Sequence, residues 1–360
     1  MSGMNSSLRK AAGAALCVGA LALTVGGAEL ALRLYQYQKF GISLASDANH
    51  GLFRKDEQLG WKLSGNLKYR AHFRDALNRN YVAEVQTDGH GFRLFGNPGT
   101  GKKKVLIVGD SFTAALDVGN DATYYGSLQD ALPQIEVFAY GAGGYGTLQE
   151  YQIIDEFLDL VKPDLIIVQF YENDFLDNDP ELDILKSFYN SGMPRPYLDP
   201  AGTIVSRYAT YDGVFLKLPA ALAKNLRLLR VLNSRLGILA SMRAVSPPGA
   251  EPRYGVAPEG LRRSERTTQA ILERLVRRAG DTPVCLFNLT DRQPYDSAIR
   301  RLCATAGVRF IDGVAQRLAE HERREPYSTK AADREHLNET GNRLVAESLE
   351  QFLRQVGNLR

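Results

Sequence analysis

The sequence predicts a doubly wound, three-layer α/β/α domain with a five-stranded parallel sheet, preceded by a transmembrane helix. Two observations predict this: apolar runs alternate with helix-period stretches from Lys104 onward, and an uncharged segment of 18 residues lies near the N-terminus. The 360 residues are 44% hydrophobic, which supplies enough apolar side chains for a sizeable core. Charged residues make up 24%, an ordinary value that excludes a disordered or fibrous chain.

The uncharged N-terminal segment covers residues 11–28 and follows two basic residues, Arg9 and Lys10. At about 1.5 Å per residue, a helix of this length spans most of the ~30 Å hydrocarbon core of a membrane. Basic residues on its N-terminal side favour a cytoplasmic N-terminus, so the rest of the chain is expected outside the cytoplasm, on the periplasmic side in a bacterium. A signal peptide cleaved near Ala28 is the alternative. Because the helical pattern continues past Glu29, the sequence favours an uncleaved signal-anchor.

The chain is predicted to divide into three parts. Residues 1–34 form the cytoplasmic tip and the signal-anchor, residues 35–100 a membrane-proximal segment with short strands, and residues 101–357 the α/β domain. Residues 177–258 separate the third and fourth strands of that domain. We expect them to form an insertion over the carboxyl edge of the sheet, where ligands bind in this architecture.

Five apolar runs predict the strands of a parallel sheet buried on both faces, because nearly every position in them is hydrophobic. The runs are Val105–Val108, Ile135–Tyr140, Leu165–Tyr171, Val284–Leu289 and Val308–Ile311. Stretches with helical periodicity follow the second, third and fifth runs, at Leu148–Val161, Leu261–Ala279 and Glu339–Gln355. The alternation of strands and helices predicts helices on both faces of the sheet.

The net charge argues against nucleic-acid binding, and the cysteine content argues against a thiolate metal site. A net charge of +3 is too small for a dedicated nucleic-acid-binding protein, and three cysteines without zinc-type spacing exclude a thiolate metal site. No cofactor is expected, and Cys285 and Cys303 are predicted to remain unpaired.

Between Gly213 and Ala250 there are six basic residues and no acidic one. This stretch predicts an amphipathic lid helix with a solvated basic face, or alternatively a contact with anionic lipid or acidic polysaccharide.

Two sequence blocks follow the first two predicted strands. Ser111 lies in GDSFT, where a strand runs into a helix whose N-terminal dipole favours developing negative charge. Taken alone, this block is more typical of a turn with a helix cap. The glycines of Gly141–Thr147 let backbone N–H groups approach an anion, although a flexible turn has the same composition.

Two further blocks supply polar side chains. Asn173 ends the third strand in YEND and offers an amide donor suited to an oxyanion, or an Asx-turn. Asp333 stands three residues before His336, immediately ahead of the last helix. A carboxylate at this spacing can orient an imidazole and leave its other nitrogen to take a proton from a hydroxyl. A surface or capping histidine is the simpler interpretation of His336 alone.

In this order, the four blocks resemble those of the SGNH/GDSL hydrolase family, whose name lists their Ser, Gly, Asn and His. The resemblance implies a flavodoxin-like α/β/α fold with Ser111 as nucleophile, His336 as general base and Asp333 as the acid that orients it. It also implies three oxyanion donors: the backbone N–H groups of Ser111 and Gly144 and the side chain of Asn173.

Four features of the sequence qualify or extend the resemblance. Ala139 stands where the family commonly has Asn at the start of its second block, and Gly143 is the alternative to Gly144. The stretch from Gly89 to Arg93 resembles the membrane-anchored branch of the family. Relatives of the alginate acetyltransferase type carry an Asp-x-His pair upstream of the serine, which here would be Asp88 and His90. The glycine-rich surroundings of that pair favour a turn instead.

The resemblance implies a membrane-anchored, extracytoplasmic serine esterase that cleaves an ester through an acyl-enzyme on Ser111 and uses no metal or cofactor. Its expected partners are the membrane and an acyl ester substrate, with a glycan or lipid as the esterified group. An O-acyltransferase acting on a cell-envelope glycan or lipid is the alternative, and it would need a membrane partner as acyl donor. A non-catalytic envelope binding module on the same fold is the second alternative.

Overall fold

The computed structural model describes residues 6–40, 44, 52–183, 194–208, 226, 228 and 255–356. Its α-helices are α1 (Ser6–Phe40), α2 (Ser111–Ala114), α3 (Tyr124–Ala131), α4 (Thr147–Val161), α5 (Asn173–Asp177), α6 (Pro180–Asp183), α7 (Pro258–Ala279), α8 (Tyr295–Ala306), α9 (Val314–Arg324) and α10 (Glu339–Val356). Its strands are β1 (Phe53–Asp56), β2 (Gly60–Leu63), β3 (Lys68–Arg74), β4 (Asn80–Gln86), β5 (Leu94–Phe95), β6 (Lys103–Gly109), β7 (Ile135–Gly141), β8 (Leu165–Phe170), β9 (Pro194–Leu198), β10 (Ile204–Tyr208), β11 (Val284–Asn288) and β12 (Arg309–Phe310).

The central sheet has six strands in the order β12-β11-β8-β6-β7-β5. The five predicted parallel strands are confirmed as β6, β7, β8, β11 and β12. The predicted total of five is wrong, because β5 adds a short antiparallel edge strand in which Leu94 pairs with Ala139 and Phe95 with Phe138. Leu94 and Phe95 are two apolar residues between Arg93 and Gly96, so no apolar run marks this strand in the sequence, whereas the equally short β12 lies within the run Val308–Ile311.

Alternation along each parallel strand explains the three layers. On β6, Leu106 and Val108 pack into one core and Val105 and Ile107 into the other, and all four are fully buried. Successive strand side chains point to opposite faces, so a strand buried on both faces must be hydrophobic at every position. The first core includes α4, α7 and α8, and the second includes α3, α9 and α10.

The strand order brings two of the predicted blocks to the same crevice. β6 lies between β7 and β8, so the chain passes from β6 to β7 on one side and then to β8 on the other side. In open α/β sheets, ligands bind beside the carboxyl ends of the strands at such a point. Ser111 directly follows β6, and Asn173 lies shortly after the end of β8.

The membrane-proximal segment folds onto the α/β domain. Its strands form the hairpins β1-β2 and β3-β4, and it contributes Leu59, Trp61, Leu63 and Phe92 to the first core. A further bridge pairs Asp75 with Ala331, in the loop that precedes His336. The three-part division of the chain stays a prediction.

In the described part of the chain, helix α1 contains one candidate membrane span, Lys10–Tyr35, and only 6% of its 18-residue apolar window is buried. By length and composition it can cross a membrane, as an anchor or as a signal sequence. Near its C-terminal end, Glu29 and Arg33 form an ion pair of 2.7 Å. The backbone N–H of Leu228 donates to the Glu29 carboxylate at 2.8 Å.

The described part of the insertion is its beginning and its end. It contains α6 and the antiparallel hairpin β9-β10. The predicted basic lid helix between Gly213 and Ala250 lies outside the described residues, apart from positions 226 and 228. Cys285 and Cys303 are buried and form no disulfide, and burial raises their thiol pKa values to about 11 and about 12.

Candidate active site

Ser111 lies at the first position of α2, a single helical turn that follows β6. The Asp110 carboxylate caps this turn by accepting the backbone N–H of Phe112 at 2.9 Å. Close approach of β7 holds the turn from the other side, because a Cβ at Gly141 would overlap the backbone of Thr113 and Ala114. The geometry therefore depends on a glycine at the end of β7 as well as on the cap.

Ser111, His336 and Asp333 form one hydrogen-bonded series. His336 Nε2 lies 2.8 Å from Ser111 Oγ, and its Nδ1 is hydrogen-bonded to Asp333 Oδ2. The other oxygen of Asp333 accepts the backbone N–H groups of Glu335 at 2.9 Å and His336 at 3.0 Å. This arrangement can pass the Ser111 proton to His336 while Asp333 holds the ring in one orientation.

Local electrostatics favour an ion pair between the side chains of His336 and Asp333. Burial lowers the pKa of His336, but the hydrogen bond and charge of Asp333, with the charges of Asp117 and Asp110, outweigh it and raise that pKa to about 9. Burial raises the pKa of Asp333, but its hydrogen bond to His336 and the charge of His336 outweigh that effect and lower it to about 2. The His336 side chain is 28% exposed and that of Asp333 is 45% exposed, so water screens part of this interaction.

The glycine loop after β7 approaches Ser111. A Cβ at Gly143 would lie 4.0 Å from Ser111 Cβ and 3.3 Å from Cζ of Phe53. The Gly143 carbonyl accepts a hydrogen bond of 3.0 Å from Trp61 Nε1. Gly144 has φ +75°, in the left-handed region that favours glycine. The predicted oxyanion donor Gly144 thus adjoins Gly143, at which a side chain would contact Ser111.

Asn173 begins α5, and a series of buried groups holds its side chain. Its amide Nδ2 donates to Asp177 Oδ2 at 3.0 Å, and Asp177 forms an ion pair of 2.9 Å with Arg195. Arg195 is 1% exposed and also pairs with Asp183 at 3.1 Å. An amide carries two N–H groups, so the bond to Asp177 leaves one for a ligand.

The upstream pair forms a turn. The Asp88 carboxylate accepts the backbone N–H groups of His90 at 3.0 Å and Phe92 at 2.7 Å, and the His90 ring packs against Phe95 and Phe157. The ring that contacts Ser111 belongs to His336, which is the arrangement that the sequence favours.

Sequence reasoning missed two charged residues beside the site. Arg93 is 3% exposed and donates to the carbonyls of Ala114, Ala115 at 2.7 Å and Val118 at 3.0 Å, so it supports the C-terminal end of α2. Asp117 lies in the loop after α2, and its carboxylate is close to the imidazole of His336 and the carboxylate of Asp333. Arg93 belongs to a stretch that the sequence had singled out, whereas no signal marked Asp117.

A cleft of about 530 Å³ opens beside Asp333. Its walls include the aromatic rings of Tyr171 and Tyr327 and the charged side chains of Arg292 and Lys330. Tyr171 connects it to the site, because its ring centroid lies 4.5 Å from that of Phe112. The cleft therefore offers mixed aromatic and polar walls next to Asp333.

One group of metal-ligating side chains occurs in the part of the chain that the structure describes: Asp117, Asp333 and His336, whose nearest ligand atoms lie within 4.8 Å of one another. Both ring nitrogens of His336 are engaged, one by Asp333 and one by Ser111. A metal could bind His336 only by breaking one of these hydrogen bonds.

The family follows from a comparison with known families. The family model of the GDSL-like lipase/acylhydrolases matches residues 107–344, more than half of the chain. The chain belongs to the GDSL-like lipase/acylhydrolase family. The matched span begins in β6, ends in α10 and contains Ser111, Asn173, Asp333 and His336. The predicted family and enzyme class are thereby confirmed: this GDSL-like acylhydrolase is a hydrolase that acts on ester bonds.

Several solved structures are similar to this GDSL-like acylhydrolase. TesA is 14% identical with a TM-score of 0.40, over 70% of this chain and 99% of its own. The psychrotrophic esterase EstA from Pseudoalteromonas sp. is 10% identical with a TM-score of 0.39, over 71% and 100%. A mutant of Axe2, an acetylxylan esterase from Geobacillus stearothermophilus, is 15% identical with a TM-score of 0.40, over 72% and 95%. No curated protein matches the sequence.

Proposed function

We propose that the protein is a membrane-anchored, extracytoplasmic serine esterase that forms an acyl-enzyme on Ser111. The single observation that carries this proposal is the hydrogen-bonded series from Ser111 Oγ through His336 to Asp333. Ser111 Oγ attacks the ester carbonyl and His336 Nε2 takes its proton. His336 then gives that proton to the leaving alcohol. In the second half of the reaction, His336 takes a proton from water, whose oxygen attacks the acyl carbonyl, and the proton returns to Ser111 Oγ as the carboxylic acid leaves.

The developing oxyanion needs hydrogen-bond donors that are already in place. The backbone N–H groups of Ser111 and Gly144 and the amide of Asn173 are the proposed donors. Support for Asn173 comes from its fixed position, since Asp177 and the buried Arg195 hold its side chain. A preorganised donor costs no reorganisation as the charge develops, which is why such groups contribute strongly to catalysis.

The acyl-enzyme is tested on the full-length protein solubilised in detergent. A fluorophosphonate probe, which traps activated serines, should label the wild-type chain at Ser111, as located by mass spectrometry of the digested protein. Ser111→Ala should remove the label, whereas Ser297→Ala, a change at an exposed serine on α8, should leave it intact. Absence of wild-type labelling across pH 7 to 10 would refute the proposed mechanism.

Water, rather than a glycan, is the proposed acceptor. The residues at Ser111 are the downstream pair Asp333 and His336, the position typical of hydrolytic members, while Asp88 serves a turn. With a short-chain aryl ester, we expect steady turnover in water that an added envelope glycan leaves unchanged. A burst of one acyl group per enzyme, followed by turnover only with glycan, would instead identify an O-acyltransferase.

A further inference from the structure

A second carboxylate, that of Asp117, lies beside the series of Ser111, His336 and Asp333. One of its oxygens, one of Asp333 and a ring nitrogen of His336 all lie within 4.8 Å of one another. Asp117 is half-buried and belongs to the loop between α2 and the 3₁₀ turn Asn120–Ala122, so it reaches His336 from the nucleophile side. Asp333 reaches the same ring from the histidine's own loop.

The loop that carries Asp117 is held at three successive positions. The Tyr81 hydroxyl donates to the Asp117 carbonyl at 2.8 Å, and the Tyr69 hydroxyl donates to the Leu116 carbonyl at 3.3 Å. Arg93 Nη2 donates to the Val118 carbonyl at 3.0 Å. All three donors come from the membrane-proximal segment, and their long-range bonds fix the backbone of this loop. The backbone of Asp117 is therefore held near His336 by a preformed framework.

The charges around His336 are predominantly negative. Asp333 faces it from the same loop, Asp110 from the start of α2, and Asp117 from the loop after α2. Arg93 is the cation whose charge acts on Asp117, while the Tyr81 phenol faces Asp117, Asp333 and Glu339. Burial raises the pKa of the Asp117 carboxyl, the charge of His336 lowers it and that of Asp333 raises it. The charges of Asp117 and His336 therefore each favour the charged form of the other group.

We propose that Asp117 is a positioning residue that acts through His336: a second carboxylate that stabilises the imidazolium formed when Ser111 gives up its proton. This inference rests on the proposed function, because it assigns Asp117 a role in the same proton transfer. The proton moves from Ser111 Oγ to His336 Nε2 and on to the leaving oxygen, and Asp117 neither accepts nor donates it. The hairpin β3-β4, which carries Tyr69 and Tyr81, thereby contributes to catalysis by holding the loop of this carboxylate in place.

The role has two measurable consequences with a common cause. Removing the Asp117 charge should make His336 easier to deprotonate, so the acidic limb of the pH–rate profile should move to lower pH. It should also weaken stabilisation of the transition state, so the plateau rate should fall. Two unit charges about 5 Å apart in a water-rich setting interact by enough to shift a pKa by about 0.5 to 1 unit. The same interaction corresponds to a plateau rate lower by about 3- to 10-fold.

The test measures the rate of fluorophosphonate labelling of the full-length protein between pH 6 and 10. Asp117→Asn should move the midpoint of the acidic limb down by about 0.5 to 1 unit and lower the plateau rate by about 3- to 10-fold. Asp121→Asn removes an equal charge from the exposed surface four residues away and should leave the profile as in the wild type. Asp117→Glu, which keeps the charge, should restore at least half of the shift.

A second variant tests the framework. Tyr81→Phe removes the hydrogen bond to the Asp117 carbonyl and should produce part of the same downward shift. Combined with Asp117→Asn, it should add no further shift, because both changes act through one contact with His336. A purely structural role for Asp117 would lower the labelling rate at every pH without moving the midpoint, and that result would overturn the inference.

The outcomes separate the two proposals. If the wild-type chain is labelled at Ser111 and the Asp117→Asn profile coincides with it, the role of Asp117 is refuted and the esterase proposal stands. If the wild-type chain is not labelled at any pH, the esterase proposal fails, and the role of Asp117 fails with it.

Discussion

Asp333 holds one ring nitrogen of His336 and thereby determines which nitrogen faces Ser111. Asp333→Asn should leave the fold intact but permit the wrong tautomer, and we expect kcat to fall by up to about 10⁴-fold, as in other triads. Steady-state kinetics with a short-chain aryl ester measures this, with circular dichroism as the control for folding. A fall of less than tenfold would show that Asp333 is not the orienting acid.

Asn173 is expected to act only in the transition state. Asn173→Ala should lower kcat by about 10²- to 10³-fold with little change in KM, because it removes one oxyanion donor. Since Asn173 also bonds to Asp177, the variant's thermal midpoint should be compared with that of the wild type. An unchanged kcat would exclude Asn173 from the oxyanion site.

The raised pKa of His336 predicts alkaline-dependent activity. His336 must be neutral to accept the Ser111 proton, and its pKa is about 9. For an uncharged ester, kcat/KM should therefore rise with pH and reach half its maximum near pH 9, well above the ordinary histidine value of about 6.5. A profile already flat above pH 7 would contradict this expectation.

The same pKa shift links His336 to stability, and its sign follows from its direction. A group whose pKa is higher in the folded state stabilises the fold fully below its unfolded pKa, and this contribution disappears as pH rises towards about 9. His336→Ala should consequently lower the thermal midpoint more at pH 6 than at pH 10. Thermal unfolding of both proteins at the two pH values measures this, and an equal effect at both would count against the ion pair with Asp333.

At the scale of elements, the site depends on how tightly α2 packs on β7. A Cβ at Gly141 would lie 2.7 Å from the Asp110 carbonyl oxygen and would overlap the backbone that carries Ser111. Gly141→Ala should lower the free energy of unfolding by about 1–3 kcal/mol and displace α2, with loss of labelling at Ser111. Gly101→Ala is the matched control, because nothing lies within 4 Å of a Cβ there. Urea titration and probe labelling of both variants test the prediction.

Arg93 and the hairpin β3-β4 illustrate how an element outside the α/β sheet shapes the site. The chain after α2 turns at Ala115 with φ +47°, and Arg93 and Tyr81 bind the carbonyls around that turn. A left-handed residue other than glycine is costly, and here several hydrogen bonds from the hairpin region help to hold it. This contact between distant segments is what brings Asp117 to His336.

At the scale of the whole molecule, we predict that the mature chain keeps its N-terminal helix as a membrane anchor. The helix Lys10–Tyr35 is long and apolar enough to cross a membrane, and only 6% of its 18-residue apolar window is buried. We expect protein extracted from membranes with detergent to have the mass of the full-length chain. A soluble product whose N-terminus lies near Glu29 would show that the segment is a cleaved signal peptide.

The strands, and the residues of the proposed site that the structure brings together, could largely be predicted because short stretches of sequence mark them. A parallel strand buried on both faces must be hydrophobic at nearly every position, and this is why the runs at β6, β7 and β8 were found within two residues. The Ser111 block and the Asp333–His336 spacing likewise lie in short stretches of sequence. Strand β5 could not be predicted, because its two residues lie between Arg93 and Gly96 and belong to no apolar run.

By itself, the sequence determined the fold class, the family and the residue types that carry the chemistry. Tertiary structure alone decided which distant side chains meet: Arg93 on the carbonyls after α2, Arg195 behind Asn173, and Asp117 beside His336. The physical reason is that a hydrogen bond or charge interaction depends on distance in space, whereas these partners are separated by between 22 and 219 residues along the chain. Hydrophobic periodicity records which face of an element is buried, but it contains no information about which loop lies next to that element.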